Sequence, residues 1–296
     1  MKLLNQYLKE KYGCKVYKLS ISAKVTCPNR DGTLGTRGCI FCSEGGSGDF
    51  AQDPVKSIKE QIEAAKLKVS NKIKGKALYI AYFQSFTNTY ANIDYLREIY
   101  LQAIEPEEIV ALSIGTRPDC LGDDVIALLS EINKIKPVWV ELGLQTINEA
   151  SAIYIRRGYG LKVYDEAVQK LRAENIDVIT HVILGLPGES IEDMEKTVKY
   201  VVASGVQGIK LQLLHVLKNT DLAIDYYEGK FETMTLDEYI DVLKRLVPLI
   251  PDNVIIHRLT GDGPKKSLIA PLWSGDKKTV LNRINREVIG LEKKVT

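Results

Sequence analysis

The chain alternates between apolar, β-branched runs and segments of helical periodicity along most of its length. The runs predict strands near residues 15–22, 77–83, 108–115, 138–144, 177–184, 208–215 and 253–258. The segments between them predict helices near 54–70, 91–104, 121–135, 161–174, 190–204 and 235–248. Such alternation is typical of a parallel sheet with helices outside it. The near-continuous Val, Ile and Leu of the runs indicates strands that are buried on both faces.

Six or seven strand–helix units are too few for a closed eight-stranded barrel, so the predicted α/β fold is an open, partial TIM-like barrel. The predicted organisation is an N-terminal helical extension (1–14), a core (15–220) and a C-terminal α/β extension (221–296) that closes the barrel. In sheets of this kind functional residues gather at the carboxyl ends of the strands. The residues that follow each strand are therefore the candidates for a site.

Three of the five cysteines, Cys27, Cys39 and Cys42, fall within sixteen residues in a Gly-rich loop after the first predicted strand. Three thiolates can hold three irons of a [4Fe–4S] cluster and leave the fourth iron open to a small molecule. Zinc is the alternative, although structural zinc prefers four N or S ligands and Cys14 is the candidate for the fourth. A disulfide fits neither the odd number of cysteines nor the lack of a secretory signal.

Composition limits the compartments and partners that we expect. No apolar stretch reaches the roughly 20 residues of a membrane span, and the first residues carry charges throughout. We therefore expect a cytoplasmic protein without a membrane partner, whose thiols stay reduced. The net charge of +2 indicates no partner by itself. Two Lys-rich segments, Lys59–Lys76 and Lys277–Lys294, are candidates for nucleic-acid binding, but they also fit the solvated faces of amphipathic helices.

A polar group follows each of the later predicted strands. These groups are Gln84–Thr87, Thr116–Asp119, Glu141–Gln145, His181–Glu189, Gln212–His215 and His257–Pro264. A single Gln or His at a strand end is more often a packing residue than a ligand. Because all of these groups come to the same rim as the cysteine loop, their convergence predicts one binding pocket there.

With these features the chain resembles the radical S-adenosylmethionine (SAM) superfamily, whose members have a partial (β/α)6 barrel with a three-cysteine loop after the first strand. The usual spacing of that loop is C-x3-C-x2-C, whereas here it is C-x11-C-x2-C. Long first spacings occur among relatives of the Elongator catalytic subunit. The chain resembles that branch in Thr116–Asp119, Glu141–Gln145 and His181–Pro187. The resemblance covers roughly residues 15–220.

The resemblance implies a radical SAM enzyme with two cofactors, one [4Fe–4S] cluster on Cys27, Cys39 and Cys42, and SAM. One-electron reduction of SAM yields methionine and a 5′-deoxyadenosyl radical, which abstracts hydrogen from the substrate. The electron comes from a reducing partner such as flavodoxin or ferredoxin. The absence of further clustered cysteines implies one cluster only, with Cys120 as a packing residue at a helix start.

The resemblance also implies which residues contact SAM. These are Phe41, Gln84, Ser85, Thr87, Thr116, Gln145, Arg157, His181 and Gly185. Gln84, Ser85 and Thr87 replace a Gly-Gly-Glu segment of the family that meets the methionine amine, so the chain departs from the pattern there. Arg157 matches an arginine that pairs with the methionine carboxylate, and the alternative for it is an ordinary surface arginine.

A narrower resemblance joins the chain to small radical SAM proteins linked to tailoring of the C5 side chain of the tRNA wobble uridine. It rests on Thr26–Thr33, Cys39–Gly48, Leu214–Lys218 and Arg258–Pro264. It implies a tRNA substrate, with removal of a carboxymethyl group as one form of the reaction. The residues that we expect on the substrate side are His215, Lys218, His257, Arg258 and Asp262.

Loop caps and surface ion pairs explain these substrate-side residues equally well. Two other functions stay open at this point. One is a radical SAM enzyme that acts on a small metabolite, and the other is a zinc-holding protein without catalytic activity.

Overall fold

The computed structural model describes residues 1–46, 48, 51–73, 75–261 and 263–290. The strands are β1 (Lys2–Leu3), β2 (Lys15–Ile21), β3 (Ala77–Phe83), β4 (Ile109–Thr116), β5 (Val138–Gln145), β6 (Asp177–Leu184), β7 (Gly208–Leu213), β8 (Val216–Leu217), β9 (Ile255–Arg258) and β10 (Leu268–Ala270). The helices are α1 (Leu4–Tyr12), α2 (Ile58–Ser70), α3 (Ile93–Ile104), α4 (Asp123–Asn133), α5 (Glu149–Tyr154), α6 (Leu161–Ala173), α7 (Ile191–Ala203), α8 (Asp221–Tyr227), α9 (Leu236–Leu246) and α10 (Lys277–Glu287). Every predicted strand and helix is therefore confirmed.

Eight of these strands form one parallel sheet in the order β1-β9-β7-β6-β5-β4-β3-β2. Because β1 and β2 are the two edges and do not pair, the barrel is open, as predicted. Strand β9 comes from the C-terminal part of the chain and inserts between β7 and β1, so the predicted extension contributes a strand to the same sheet. The predicted boundaries at residues 14 and 220 stay predictions. Strands β8 and β10 form a separate antiparallel pair.

Local sequence signals fix where several helices begin. Capping boxes, in which a Ser or Thr and the acidic residue three positions later bind each other's backbone N–H, start α2, α7 and α9. The helices then bury their apolar faces against the outside of the sheet. None of the helices in the described part of the chain has the length and apolar composition of a membrane span.

The side chains that point into the barrel form three layers, because alternate residues of a strand face the same side. The bottom layer is apolar and packs on Leu8 of α1. This side chain covers the barrel at the amino ends of its strands. This bottom layer contains Val16, Ile80, Ala111, Trp139 and Ile179. The middle layer, two residues further along each strand, is polar and contains Lys18, Tyr82, Ser113, Glu141, His181 and Lys210. The top layer contains Ser20, Gln84, Gly115, Gly143, Ile183 and Gln212.

Candidate active site

A cavity of about 510 Å³ lies inside the barrel, and the top layer lines it. The predicted site residues that line it are Cys27, Cys39, Cys42, Phe41, Gln84, Thr87, Thr116, Gln145, Arg157, His181, His215, His257 and Arg258. Side chains that the sequence places at seven different points of the chain thus meet in one volume. This convergence at the strand ends is what the alternation of strands and helices predicted.

Three predicted residues do not line the cavity. Ser85 follows the inward-facing Gln84 and turns to the other side, where its Oγ lies 2.9 Å from the Oγ of Ser22. Gly185 has a left-handed φ of 85° and packs beside Met234, whose Cε would lie 3.1 Å from an added Cβ. Lys218 follows β8 and is exposed on the outside. Asp262, the remaining predicted residue, lies outside the described residues.

The cysteine loop is a compact turn held by its own backbone and by two polar side chains. The backbone N–H of Gly38 donates to the carbonyl of Asn29 at 2.7 Å. The Nδ2 of Asn29 also donates to the Cys39 Sγ at 3.4 Å and to the Arg156 carbonyl at 2.7 Å. Gly38 has a φ of 76°, and a Cβ there would lie 2.9 Å from the Nε of Arg30. Only glycine therefore fits this position without strain.

The loop environment favours a thiolate in the cysteine pair. A hydrogen bond with Cys42 lowers the pKa of Cys39 to about 7 against the effect of burial, with help from Arg117, Asn29 and Arg30. The same pairing, together with burial, raises the pKa of Cys42 well above its ordinary value. The lowered pKa favours the thiolate of Cys39, which is the form in which cysteine binds metals.

These thiols fit an iron–sulfur cluster better than a closed zinc site. Cys14 precedes β2 and the loop follows it, so about 23 Å of strand separates Cys14 from the other three. Cys14 therefore cannot be the fourth zinc ligand. Within the described residues, no group of three or more His, Cys, Asp or Glu is arranged to hold a metal ion. A four-iron cluster does not need such convergence on one point, because each thiolate binds a different iron.

Arg157, the residue expected at the SAM carboxylate, is buried and is not an ordinary surface arginine, since only 2% of it is exposed. Its Nε donates to the Tyr159 carbonyl at 2.9 Å. Its Nη1 donates to the carbonyls of Leu144 at 3.3 Å and Thr146 at 2.7 Å. Its Nη2 lies 3.5 Å from a carboxylate oxygen of Glu149. With five N–H donors in a guanidinium, one at Nη2 is left for a ligand.

A kink at the end of β5 positions Gln145. Gln145 has a left-handed φ of 65°, and the pairing of β5 with β6 shifts register between Gly143 and Gln145. A Cβ at Gly143 would lie 2.6 Å from the amide of Gln145. The glycine therefore lets this amide fold back over the strand end, where it lines the cavity.

Glu141 is the centre of the middle layer and accepts four hydrogen bonds although its side chain is fully buried. Its Oε1 accepts from the Nζ of Lys18 and from the Ser113 Oγ at 2.7 Å. Its Oε2 accepts from the Nζ of Lys210 and from the His181 Nε2 at 2.8 Å. Every lone-pair direction of the carboxylate thus has a donor, and these hydrogen bonds join five strands, β2, β4, β5, β6 and β7.

Hydrogen bonds define the state of His181. Because its Nε2 donates to Glu141, its Nδ1 accepts from the Nε2 of Gln212 at 3.0 Å, which requires the neutral ring. Burial, reinforced by Lys210, lowers the pKa of His181 to about 4. Burial opposes ionisation of Glu141 too, but Lys18 and Lys210 hold its pKa well below the usual range. Burial also lowers the pKa of Lys210 to about 7.

Lys18, Lys210 and Arg117 line the cavity but were not among the site residues predicted from the sequence. Lys18 lies two residues after the bottom-layer Val16, and Lys210 lies two residues after Gly208, the equivalent position of β7. A lysine on the inward face of an otherwise apolar strand is the sequence signal that could have identified both. Arg117 belongs to a quoted motif and lines the cavity, where its Nε and Nη2 donate to Asp119 at 2.9 and 2.7 Å. Its guanidinium also stacks 5.0 Å from the ring centre of Tyr159.

His215 is enclosed by the segment around Gly261 and Gly263. Its Nε2 lies 3.1 Å from the Ser274 Oγ. A Cβ at Gly261 would lie 2.8 Å from the imidazole Cε1, and one at Gly263 would lie 3.0 Å from its Cδ2. These glycines therefore let the C-terminal segment pack directly on His215 at the cavity wall.

An open parallel barrel with a cavity at its strand ends is typical of an α/β enzyme, and the three thiols that line this cavity are candidate ligands of an iron–sulfur cluster. A family model described as the Radical SAM superfamily matches residues 32–201, and one described as the Radical SAM C-terminal domain matches residues 206–289. The chain belongs to the radical SAM superfamily and is a radical SAM enzyme. The first match includes Cys39 and Cys42 but begins after Cys27, whose role rests on its place in the cavity.

Similar proteins place the chain near the Elongator branch. Protein YtqA of Bacillus subtilis is 45% identical over 286 residues, which are 96% of this chain and 88% of that protein. A tRNA uridine(34) acetyltransferase of Methanocaldococcus infernus is 28% identical over 178 residues, 59% of this chain and 32% of that protein. The solved structure of the archaeal M. infernus Elp3 with an N-terminal deletion has the same fold, with a TM-score of 0.69 at 19% identity over 94% of this chain and 64% of that chain.

Proposed function

We propose that this radical SAM enzyme modifies the C5 side chain of the wobble uridine of tRNA, starting with abstraction of a hydrogen atom from that side chain. The observation that carries the proposal is the similarity of the radical SAM core to a protein named tRNA uridine(34) acetyltransferase. That similarity covers 32% of the relative, so its acetyl transfer is not carried over. The two chains share the radical SAM core, so the target nucleoside, uridine 34 of tRNA, is the property that we propose for this chain.

In this proposal Cys27, Cys39 and Cys42 would hold one [4Fe–4S] cluster, and residues that line the cavity would contact SAM. When bound, the cluster supplies an electron that cleaves SAM to methionine and a 5′-deoxyadenosyl radical, which takes a hydrogen atom from the substrate. The Asn29 N–H to the Cys39 sulfur stabilises charge on that thiolate. The remaining N–H of Arg157 and the amide of Gln145 orient SAM.

In this proposal the cavity would receive both SAM and the target nucleobase with its side chain. Its volume of about 510 Å³ lies within the usual range for small-ligand pockets, and it opens inside the barrel rather than along a surface groove. A wobble base must therefore leave the stack of the anticodon loop to enter it, as in other enzymes that act on a base. His215, His257 and Arg258 line the cavity on the C-terminal side and are the proposed contacts to the nucleotide.

Two further partners follow from the proposal. The reductant is a low-potential electron carrier such as a flavodoxin or ferredoxin. Both this carrier and tRNA fit a cytoplasmic enzyme, in which the loop thiols stay reduced.

The test is turnover by the anaerobically reconstituted enzyme with SAM and reductant, in the presence of tRNA whose wobble uridine carries a C5 carboxymethyl-type side chain or is unmodified. We expect 5′-deoxyadenosine formation to rise with the modified tRNA and the mass of its wobble nucleoside to change. The matched protein control is Cys27→Ala against Cys14→Ala, of which only the first should abolish the reaction.

Two outcomes would contradict the proposal. Formation of 5′-deoxyadenosine that ignores every tRNA would point to a small metabolite as the substrate. One tightly bound zinc ion with no 5′-deoxyadenosine would point to the zinc-holding alternative.

A further inference from the structure

We propose that the middle layer of the barrel is an anion site, in which Lys210 and Lys18 bind a carboxylate at the end of the substrate's side chain. This inference rests on the proposed function and deepens it, since it assigns the residues that would recognise the carboxylate of the substrate's side chain.

The charges of the side chains that line the cavity favour an anion. The described residues that line the cavity include six basic side chains, Lys18, Arg30, Arg117, Arg157, Lys210 and Arg258, and one acidic side chain, Glu141. In the middle layer the two ammonium groups share that single carboxylate, and the hydrogen bonds make His181 neutral. When Lys210 is protonated, the layer carries one more positive than negative charge inside the barrel, and a partner of opposite charge is favoured there.

The second argument is the number of donors. An ammonium group has three N–H donors. Lys210 directs one to Glu141 and another to the Tyr82 hydroxyl at 3.4 Å, which leaves one among the contacts of the described residues. Lys18 contacts Glu141 and the Ser113 Oγ at 3.2 Å, and lies over the Tyr82 ring at 4.7 Å. Glu141 has no lone pair left for a further cation, so the remaining N–H of Lys210 needs an acceptor from outside.

A third, independent observation concerns unpaired polar atoms. Among the described residues, the buried Nδ1 of His257 and Nε1 of Trp139 have no hydrogen-bond partner. The two rings contact each other at 5.4 Å, and the Lys18 ammonium lies 5.3 Å from the Trp139 ring. Unsatisfied buried polar atoms are rare and concentrate where a ligand or a water completes the site.

The two lysines lie deeper in the barrel than Arg157, although His181 of the same layer is also an expected SAM contact. Lys18 lies three residues before the end of β2, which is about 10 Å of strand below the cysteine loop. Arg157, the expected contact of the SAM carboxylate, follows β5 at the rim. Burial lowers the pKa of Lys210 to about 7, so an anion bound there would also restore its full protonation.

The test compares two anticodon stem–loop RNAs that differ in one group. The C5 side chain of the wobble uridine ends in a carboxylate in one RNA and in the neutral carboxamide in the other. Equilibrium binding to the reconstituted enzyme with SAM and formation of 5′-deoxyadenosine are measured for both. We expect the carboxylate RNA to bind roughly 10- to 100-fold tighter, as for a hydrogen bond to a charged group. The variant Lys210→Met should lose this preference.

Controls separate binding from folding. Lys162→Met replaces a lysine whose side chain is 88% exposed on α6 and should keep the full preference. Lys18→Met, which alters the other ammonium group, should reduce the preference and serves if Lys210→Met does not fold. The comparison of the two RNAs with the unaltered enzyme requires no variant.

The outcomes distinguish the two proposals. If both RNAs raise 5′-deoxyadenosine formation and bind equally well, the anion site is wrong while the proposed function stands. A preference that survives in both lysine variants also overturns the anion site. If neither RNA is bound or raises 5′-deoxyadenosine formation, the proposed function fails and the anion site fails with it.

Discussion

Replacing Glu141 with Gln should destabilise the protein more than any other isosteric change in the barrel. The carboxylate accepts hydrogen bonds from Lys18, Ser113, His181 and Lys210 while fully buried. An amide keeps one acceptor oxygen and turns an N–H₂ group toward two donors. Two ammonium groups are then left without a carboxylate. Removing one partner of a buried charge pair costs about 3–5 kcal/mol, and we expect the free energy of unfolding to fall by that amount.

Urea-induced unfolding measures this change, with the fluorescence of Trp139 and Trp273 as the signal. Trp139 lies in the layer below Glu141, so its emission reports on the same region. Glu166→Gln is the matched control, because Glu166 is 55% exposed in a surface pair with Lys162. Its expected effect is within about 0.5 kcal/mol.

A second variant tests the cause. In the Glu141→Gln background, Lys210→Met removes one of the uncompensated charges, so part of the lost stability should return. The reasoning is refuted if Glu141→Gln unfolds at the same urea concentration as Glu166→Gln. It is also refuted if the effects of Glu141→Gln and Lys210→Met simply add.

Three further predictions concern the cysteine loop and the middle layer. Anaerobic reconstitution of Cys27→Ala should yield far fewer than the roughly four irons per chain of the intact cluster, whereas Cys14→Ala should keep them; equal iron in both would contradict the assignment. Asn29→Ala removes the N–H donor at 3.4 Å from the Cys39 sulfur, so redox titration should show a more negative cluster potential, and an unchanged potential would exclude this role. The pKa of His181 is lowered to about 4, so the unfolded chain binds the extra proton as the pH falls from about 6.5 toward 4, and stability is lost in that window. Burial lowers the pKa of His257 as well, so both histidines contribute to the loss. Between pH 7 and pH 5, His181→Gln should reduce the loss of stability by about 2 kcal/mol, and an unchanged loss would contradict this role.

The sequence predicted the elements that have a clear period and missed those that are too short to have one. Strands such as Val138–Gln145 are seven or eight residues of nearly continuous apolar sequence, which no other local structure explains. Strand β1 has two residues and β8 has two, so neither carries a pattern. The place of β9 between β7 and β1 depends on long-range pairing, which local sequence does not encode.

The site was predictable where side chains follow strands and unpredictable where they lie inside them. The cysteine loop and Gln145 stand at or beside strand ends, whereas His181 lies inside β6 and was named from the family resemblance. Lys18 and Lys210 lie within strands, and their importance depends on sharing Glu141 across the barrel. The Lys18–Glu141 contact joins residues 123 positions apart, and the Lys210–Glu141 contact joins residues 69 positions apart. Both contacts form only because the sheet curls into a barrel.

The burial of Arg157 also depends on the fold and could not be predicted from the local sequence. Its guanidinium is surrounded by carbonyls at the end of β5 and by the turn after α5, a short helix that the sequence pattern did not predict. An arginine after an unrecognised helix looks like a surface residue. Its four internal hydrogen bonds follow from the kink of the chain and not from its local sequence.

The central claim is that the enzyme abstracts hydrogen from the C5 side chain of the wobble uridine. The most direct measurement is turnover of an anticodon stem–loop RNA whose C5 side-chain carbons carry deuterium, followed by mass analysis of the 5′-deoxyadenosine. The account predicts 5′-deoxyadenosine that is one mass unit heavier, formed only with this RNA and absent with Cys27→Ala. Unlabelled 5′-deoxyadenosine, formed at the same rate with and without RNA, would contradict it.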